Sequence, residues 1–497
     1  MTSSPTLDVA VVGYGPVGVA AAALAASRGM TVEAFERERD VYHLPRAAHF
    51  DGEIMRVWQE IGAAERVLPC TAPGAGMHFL NADGVKLFGV DADAEAGPQG
   101  WARHYMFYQP DLERVLRARA QELGVAAHLG HEVESLEQAD GHVALHVRDL
   151  ASSSRRVVRA RWVLGCDGGR SLSRTAIGAE LEDLCFDQPW LVVDTVLRRH
   201  VELPRMAVQY CDPRGPVTFI PMAGMRRRWE FMLLPEDTPA SMERPERVRE
   251  LLGRWVRPDD VEVVRAVVYT FHALVVRPWR RGRVFLLGDA AHQMPPFLGQ
   301  GMCSGIRDAA NLTWKLDLVR RGVAGDGLLD SYETERAPHV RMIIGTCVAA
   351  GNVIQTTDPE VAAMRDRQLL GETAPPIQRD ELPPLTAGLL HGGGRGPGAG
   401  KLVPQPRCAG GEPLDERLGR GFAVVSGEDP ARAMTRASLA FWQKLGARLV
   451  ATRALDGWLA EQGASAVVVR PDRYAYGVAC APGDLDGLTG ALRAALA

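Results

Sequence analysis

The hydrophobic pattern changes period along this chain, and the changes mark its elements. Leu7 to Val12 is an apolar run that predicts a buried strand, followed by an Ala-rich helix to about Ser27 and a second strand, Thr31 to Phe35, ending at Glu36. Further strands are expected over 143–147, 157–164 and 284–287, and helices over 53–61, 303–319 and 331–349. In the helix over 303–319, Ile306, Ala310 and Trp314 form one apolar row and Leu312, Leu316 and Val319 another, so deep burial is expected. The stretch Tyr108 to Glu113 is expected to open a helix that runs through Gln121, with Asp111 as its N-cap and Gln109 in the loop before it. Short β-rich runs recur at Trp190–Val196, Met206–Cys211, Val217–Ile220, Trp229–Leu234 and Val261–Phe271. They predict an antiparallel sheet inserted into the α/β pattern. The stretch 388–400 is glycine-rich and reads as a linker, and strands and helices alternate beyond it.

Composition narrows the class. At 497 residues the chain is long enough for two or three domains, and 46% hydrophobic with 24% charged residues is ordinary for a globular protein. A formal net charge of -4 argues against a nucleic-acid binder. The eight cysteines are scattered with no CxxC pair, which fits neither a metal site nor a disulfide framework and suits a cytoplasmic enzyme with reduced thiols. Gly13, Gly15, Pro16 and Gly18 interrupt the apolar N-terminal region, so neither a signal peptide nor a membrane span is expected there.

Three loops carry the chemistry. Gly13-Tyr14-Gly15-Pro16-Val17-Gly18 is a GxGxxG turn with a strand before it and a helix after it. Gly13 serves the tight turn, Gly15 close approach of a pyrophosphate, and Gly18 helix–strand packing. Glu36, roughly 20 residues on, can accept hydrogen bonds from a ribose 2′-hydroxyl. The second loop, GCDGGRS at 165–171, places Asp167 and Arg170 at a strand end. The third, GDAAHQMPPFLGQGM at 288–302, has an acid at a strand end (Asp289), a proline pair, and Gly299 and Gly301 before a helix whose positive end can face a ligand. His292, Asp308 and Asn311 are expected to make structural hydrogen bonds.

This ordered set resembles the single-component FAD-dependent aromatic hydroxylases, the group of p-hydroxybenzoate and phenol hydroxylases, over roughly residues 7–350. RAAHFDGE, FDQPWLVVDT, QYCDPRGP and RRWEFMLLP are similar to the 3-(3-hydroxyphenyl)propionate hydroxylase branch. The resemblance implies an α/β fold: a Rossmann-like FAD-binding domain in two parts (1–185 and 276–387), an inserted β-sheet substrate domain (186–275), the linker 388–400, and a thioredoxin-like domain without CxxC (401–497). It implies non-covalent FAD, NAD(P)H as co-substrate, and hydroxylation of a 3-(3-hydroxyphenyl)propionate-like phenolic compound ortho to its hydroxyl through a C4a-hydroperoxyflavin. Gly13, Gly15, Val17 and Gly18 would lie at the pyrophosphate, with Glu36 and Arg37 at the adenosine end. Arg46, Gln109, Asp167, Arg170, Asp289, Pro296, Gly299, Gly301 and Met302 complete the cofactor set. Asp51, His49 and Tyr210 are the candidates for the base that activates the phenol. A homodimer is a family-level expectation; the other partners are a small aromatic substrate and O2, with no nucleic acid and no membrane.

Three other readings fit the same loops. One is a monooxygenase that tailors a larger aromatic natural product, by hydroxylation or Baeyer–Villiger insertion. The second is a flavin sensor using its C-terminal domain to bind a partner, and the third a flavin-free dehydrogenase.

Overall fold

The first apolar run is the hub of a parallel sheet. In the computed structural model, which describes residues 6–92, 94–371, 382–481 and 483–497, Leu7–Val12 lies between Val32–Glu36 and Arg155–Gly165, parallel to both. Ala126–Leu129 and Val284–Leu286 extend the sheet at its two sides, again in parallel. The hairpin His131–Ala139 and His142–Asp149 pairs antiparallel onto Arg155–Gly165. Val9, Ala10 and Val11 are fully buried, because helices cover the sheet. The alanines of the helix Pro16–Ser27 let it pack closely against the sheet and against the helix Gly301–Arg320.

The second sheet has eight strands, and it is mixed rather than antiparallel as expected. Glu180–Leu197 and Val261–Arg277 pair antiparallel along most of their length, then Arg226–Met232, Val217–Ile220 and Ala207–Tyr210 follow. Ala207–Tyr210 then pairs in parallel with Gly76–Leu80, which carries Lys86–Asp91. Those last two strands come from 76–91, far ahead of the run of β patterns, and no local signal announces that pairing. One face of the sheet is closed by the helix Pro245–Leu252 over Leu191, Val193, Phe219, Trp229 and Phe231. The other face is turned toward the first sheet.

Two expected helix boundaries shift. The helix Gln109–Glu122 is capped by Tyr108, so Asp111 lies in its first turn rather than at the cap and Gln109 lies inside the helix. Pro110 is tolerated there because its missing N–H has no intrahelical partner in any case. Ser331–Ile354 runs five residues past Ala349. The stretch Asp326–Ile354 is apolar and long enough to cross a membrane by composition, a property shared by core helices, and 44% of its apolar window is buried in the protein.

The C-terminal region forms a separate four-stranded sheet in which Ala423–Ser426 is flanked by parallel Arg448–Ala451 and antiparallel Ala466–Val469, with Ala475–Ala479 at the far edge. The glycine-rich connection before it is folded rather than slack: Leu389 N donates to Glu335 Oε1 at 2.8 Å, and Leu389 and Leu390 are buried. Residues 372–381, part of the expected 276–387 segment, lie outside the described residues.

Candidate functional site

A continuous cavity of about 2590 Å³ runs between the two sheets and under the C-terminal region. That exceeds the roughly 300–1,000 Å³ of an ordinary ligand pocket and leaves room for two molecules. All three loops reach it.

The glycine turn is built as its spacing requires. Gly13 has φ +88°, and a Cβ there would stand 2.5 Å from Cys166 O. A Cβ on Gly18 would stand 2.0 Å from Gly13 O, so Gly18 serves helix–turn packing and does not line the cavity. A Cβ on Gly15 would meet nothing within 4 Å: the turn opens onto empty space at a helix N-terminus, as a pyrophosphate seat must. Val17 lines this opening and wedges against Gly288 and Gly305. Glu36 accepts from Tyr14 N at 2.8 Å and Glu38 N at 3.0 Å, which holds its carboxylate at the cavity edge beside exposed Arg37.

The second and third loops face the turn. Asp167 accepts from Ser171 Oγ at 2.5 Å and Ser173 N at 2.9 Å, so both its oxygens brace the local helix; Arg170 is exposed at the rim. Asp289 lies 3.6 Å from Arg46 across the cavity mouth. Gln109 is buried and accepts from Arg46 N at 2.7 Å and Ala47 N at 2.9 Å, fixing the 46–47 backbone. Pro296 opens a short 3-10 turn that ends at Gly299, left-handed at φ 64°. Gln300 then caps the helix Gly301–Arg320, whose first intrahelical bond from this turn is Ser304 N to Gln300 O. The N–H groups of Gly301, Met302 and Cys303 precede that bond, and Gly301 and Met302 line the cavity.

Strand pairing assembles a titratable group under this helix. His49–Asp51 pairs with His104–Phe107, which sets His49 Nε2 3.0 Å from His104 Nδ1; His49 Nδ1 is 3.4 Å from Gly299 O. Asp51 caps the helix Gly52–Glu60 through Ile54 N and accepts from Gln300 Nε2 at 3.2 Å and from Arg307. Burial opposes the Asp51 charge, but Arg307, His49 and the hydrogen bonds outweigh it and hold the carboxyl below the usual aspartate range. A carboxylate so stabilised is a weak base. His104, Gln300 and Arg307 were not among the residues singled out from the sequence, since only the tertiary pairing brings them to His49 and Asp51.

Tyr210 is not at the cavity. It lies on the covered face of the second sheet, against Trp255, whose Nε1 is 3.3 Å from its hydroxyl. Its neighbour Gln209 points the other way and is buried. Gln209 Oε1 accepts from Thr218 Oγ1 at 2.5 Å, and its Nε2 donates to Phe297 O at 3.3 Å, tying the sheet to the proline turn. Gln209, Thr218, Glu230 and Val192 stand in one register row on this inner face, and all four line the cavity. Period-two alternation could have found this row: Gln209, Thr218 and Glu230 each adjoin an aromatic residue that faces the other way.

His292 does pack and hydrogen-bond: its Nε2 lies 2.7 Å from Asp308, which also receives Gly288 N and Arg336.

Comparison with known proteins agrees with this geometry. Residues 6–346 match the FAD binding domain family, and residues 400–454 match the HcaD C-terminal domain. The chain is 38% identical to a probable NADH-specific resorcinol 4-hydroxylase of Rhodococcus jostii (strain RHA1), covering 99% of this chain and 95% of that protein. It is 35% identical to a 3-(3-hydroxy-phenyl)propionate/3-hydroxycinnamic acid hydroxylase of Mycobacterium sp. (strain JLS), over 95% of this chain and 89% of the relative. The solved ternary complex of aklavinone-11 hydroxylase with FAD and aklavinone superposes with a TM-score of 0.78 at 25% identity, covering 99% of each chain. A dinucleotide cradle, a helix N-terminus above a mixed sheet, and full-length likeness to flavin hydroxylases converge: the chain belongs to the single-component FAD-dependent aromatic hydroxylases, close to the 3-(3-hydroxyphenyl)propionate hydroxylase branch, and is a flavin-dependent, NAD(P)H-linked aromatic monooxygenase acting on a phenolic or polyaromatic substrate.

Proposed function

We propose that the substrate is a neutral phenolic aromatic larger than a single-ring acid, hydroxylated beside an existing hydroxyl, in the manner of a natural-product tailoring hydroxylase. The observation that carries this is the chamber itself. It continues past the cradle of Gly13, Gly15 and Gly301 between the inner sheet face and Met342, Ile343 and Val353. The two arginines of that face are committed: Arg228 donates to Asp194 and to the carbonyls of Pro45 and Arg46, and Arg265 to Pro45 O and Asp194. A substrate carboxylate would therefore find poor recompense there for its lost hydration. A carboxylate-bearing single-ring substrate is the second reading, favoured by the 35% identical relative.

When bound, FAD supplies the redox chemistry: it takes a hydride from the nicotinamide and activates O2 for transfer of one oxygen atom to the ring. The protein residues do the rest. Gly13, Gly15, Val17 and the helix opening at Pro16 would hold the pyrophosphate, and Glu36 and Arg37 the adenosine ribose. Arg46, Gln109, Asp167, Arg170 and Asp289 shape the passage between the loops. Pro296, Gly299 and the N–H groups of Gly301 and Met302 would hold the flavin end, where the helix dipole favours negative charge. His49 accepts the phenolic proton, and His104 at its Nε2 shares it. Asp51 positions Gln300 and Arg307 rather than acting as base. Phe271 and Phe297 line the cavity and pack against buried Trp190, an aromatic cluster that would help exclude water from the reaction. The C-terminal sheet, with one parallel pair followed by two antiparallel pairs, supports a thioredoxin-like layout lacking the CxxC.

The test is turnover of NADH and NADPH by the FAD-loaded protein with resorcinol, 3-(3-hydroxyphenyl)propionate and hydroxylated polycyclic aromatics, with products identified. Hydroxylated polycyclic product is expected. Turnover confined to the propionate would sustain the second reading, and a ring-expanded ester or lactone would reassign the oxygen insertion to the Baeyer–Villiger type.

A further inference from the structure

We infer that Glu230 is a specificity-determining residue: its carboxyl accepts a hydrogen bond from a hydroxyl on the aromatic substrate. The inference rests on the hydroxylase reading above and names how that site chooses its ring.

The side chain faces the cavity from the inner side of the sheet. Glu230 is on the inner face of the second sheet, between Thr218 on one neighbouring strand and Val192 on the other, and it lines the cavity. The residue is only 3% exposed. Yet among the described residues its carboxyl makes no hydrogen bond, while Thr218 and Gln209 beside it are bonded to each other and to Phe297 O. Its nearest cation, Arg228, is 3.9 Å away and already engaged by Asp194 and two carbonyls. A carboxyl nine-tenths buried and unbonded is costly unless a ligand satisfies it. Burial pushes Glu230 up to about 7, against the pull of Arg228. The group is thus held close to the point where it can accept a proton or a hydrogen bond at neutral pH.

The surroundings define the donor. With Glu230 ionised, the two arginines Arg228 and Arg265 are balanced by the two carboxylates Asp194 and Glu230, so the face carries no net charge to attract an ionic ligand of either sign. A neutral O–H donor is what remains, and the substrate class is an aromatic with a hydroxyl besides the one whose proton His49 takes. A site with a buried acceptor discriminates strongly against an analogue that lacks the donor, because the acceptor is then left unpaired.

Resorcinol and phenol differ only by that second hydroxyl. With wild-type, FAD-loaded protein, dissociation constants read from the flavin absorbance change should be at least tenfold tighter for resorcinol. The ratio of kcat/KM, resorcinol over phenol, should fall at least tenfold in Glu230→Leu and by a smaller factor in Glu230→Gln, which keeps an acceptor oxygen. Equal wild-type binding of the two phenols overturns the inference, and that measurement needs no variant. A ratio unchanged in both variants overturns it as well. Failure of the hydroxylase reading looks different: wild-type protein would then yield no hydroxylated product from any phenol.

Discussion

At the scale of single residues, the site separates groups that face substrate from groups that only hold others in place. His49→Asn removes the proposed proton acceptor while leaving the helix cap at Asp51 and the proline turn over 296–299. A fall in kcat of about 10²–10³-fold is expected, with the bound-flavin spectrum retained, as read by single-turnover absorbance over a pH series. Tyr210→Phe removes a hydroxyl whose hydrogen-bond partner, among the described residues, is Trp255 on the far face of the sheet. It should leave kcat unchanged and cost about 0.5–1.5 kcal/mol of stability, measured by denaturant unfolding. The choice between Gln209 and Tyr210 was in principle legible, since adjacent strand residues face opposite ways. The choice among Asp51, His49 and His104 was not, because it turns on Arg307 arriving from a helix some 250 positions away.

At the scale of elements, the strand–turn–helix units are where local sequence and final structure agree most closely. Leu7–Val12 and Pro16–Ser27 form where the apolar run and the alanines place them. Their junction is sterically tight, so Gly13→Ala, with φ +88° and Cys166 O only 2.5 Å from the new Cβ, should abolish FAD retention. Flavin-to-protein absorbance after gel filtration checks this. Gly299→Ala would place a Cβ 2.8 Å from His49 Nδ1 in a left-handed turn, and should raise the FAD dissociation constant and lower turnover together. The inserted sheet was legible as strands but not as a sheet. Its parallel pairing with Gly76–Leu80 joins segments with no shared local pattern, and register between distant strands is set only when both faces find their cores.

At the scale of the whole molecule, the C-terminal region is locked to the flavin domain by buried charge. Arg470 donates to Glu335 at 2.6 Å, to Asp472 at 2.7 Å and to Leu389 O at 3.0 Å, and Lys315 stands 2.9 Å from Glu335. Tyr474 bonds Glu53, which pairs with Arg307 on the helix Gly301–Arg320. Arg470→Met leaves Glu335 with half its compensation and should cost about 3–5 kcal/mol, seen as a lower Tm and early proteolysis near 388–400. Burial alone would raise Glu335, but Arg470 and Lys315 outweigh it and hold the carboxyl at about 2. A depressed folded-state value means this stabilisation is complete above the unfolded value near 4.5 and is lost as pH falls toward 2. Unfolding midpoints between pH 6 and 3 should therefore drop, and drop less in Arg470→Met.

The sequence by itself determined the strand–turn–helix units and the nucleotide cradle, because each depends on residues close in the chain: a glycine spacing, an apolar period, an acid at a strand end; the class of chemistry was legible through the resemblance that the three ordered loops carry. The tertiary structure alone decided which titratable side chains meet, which face of the inserted sheet looks onto the cavity, and that the glycine-rich connection is pinned rather than free. Those outcomes depend on long-range pairing and on burial, which shift a carboxyl down at Asp51 and up at Glu230 with nothing in their immediate sequence to distinguish them.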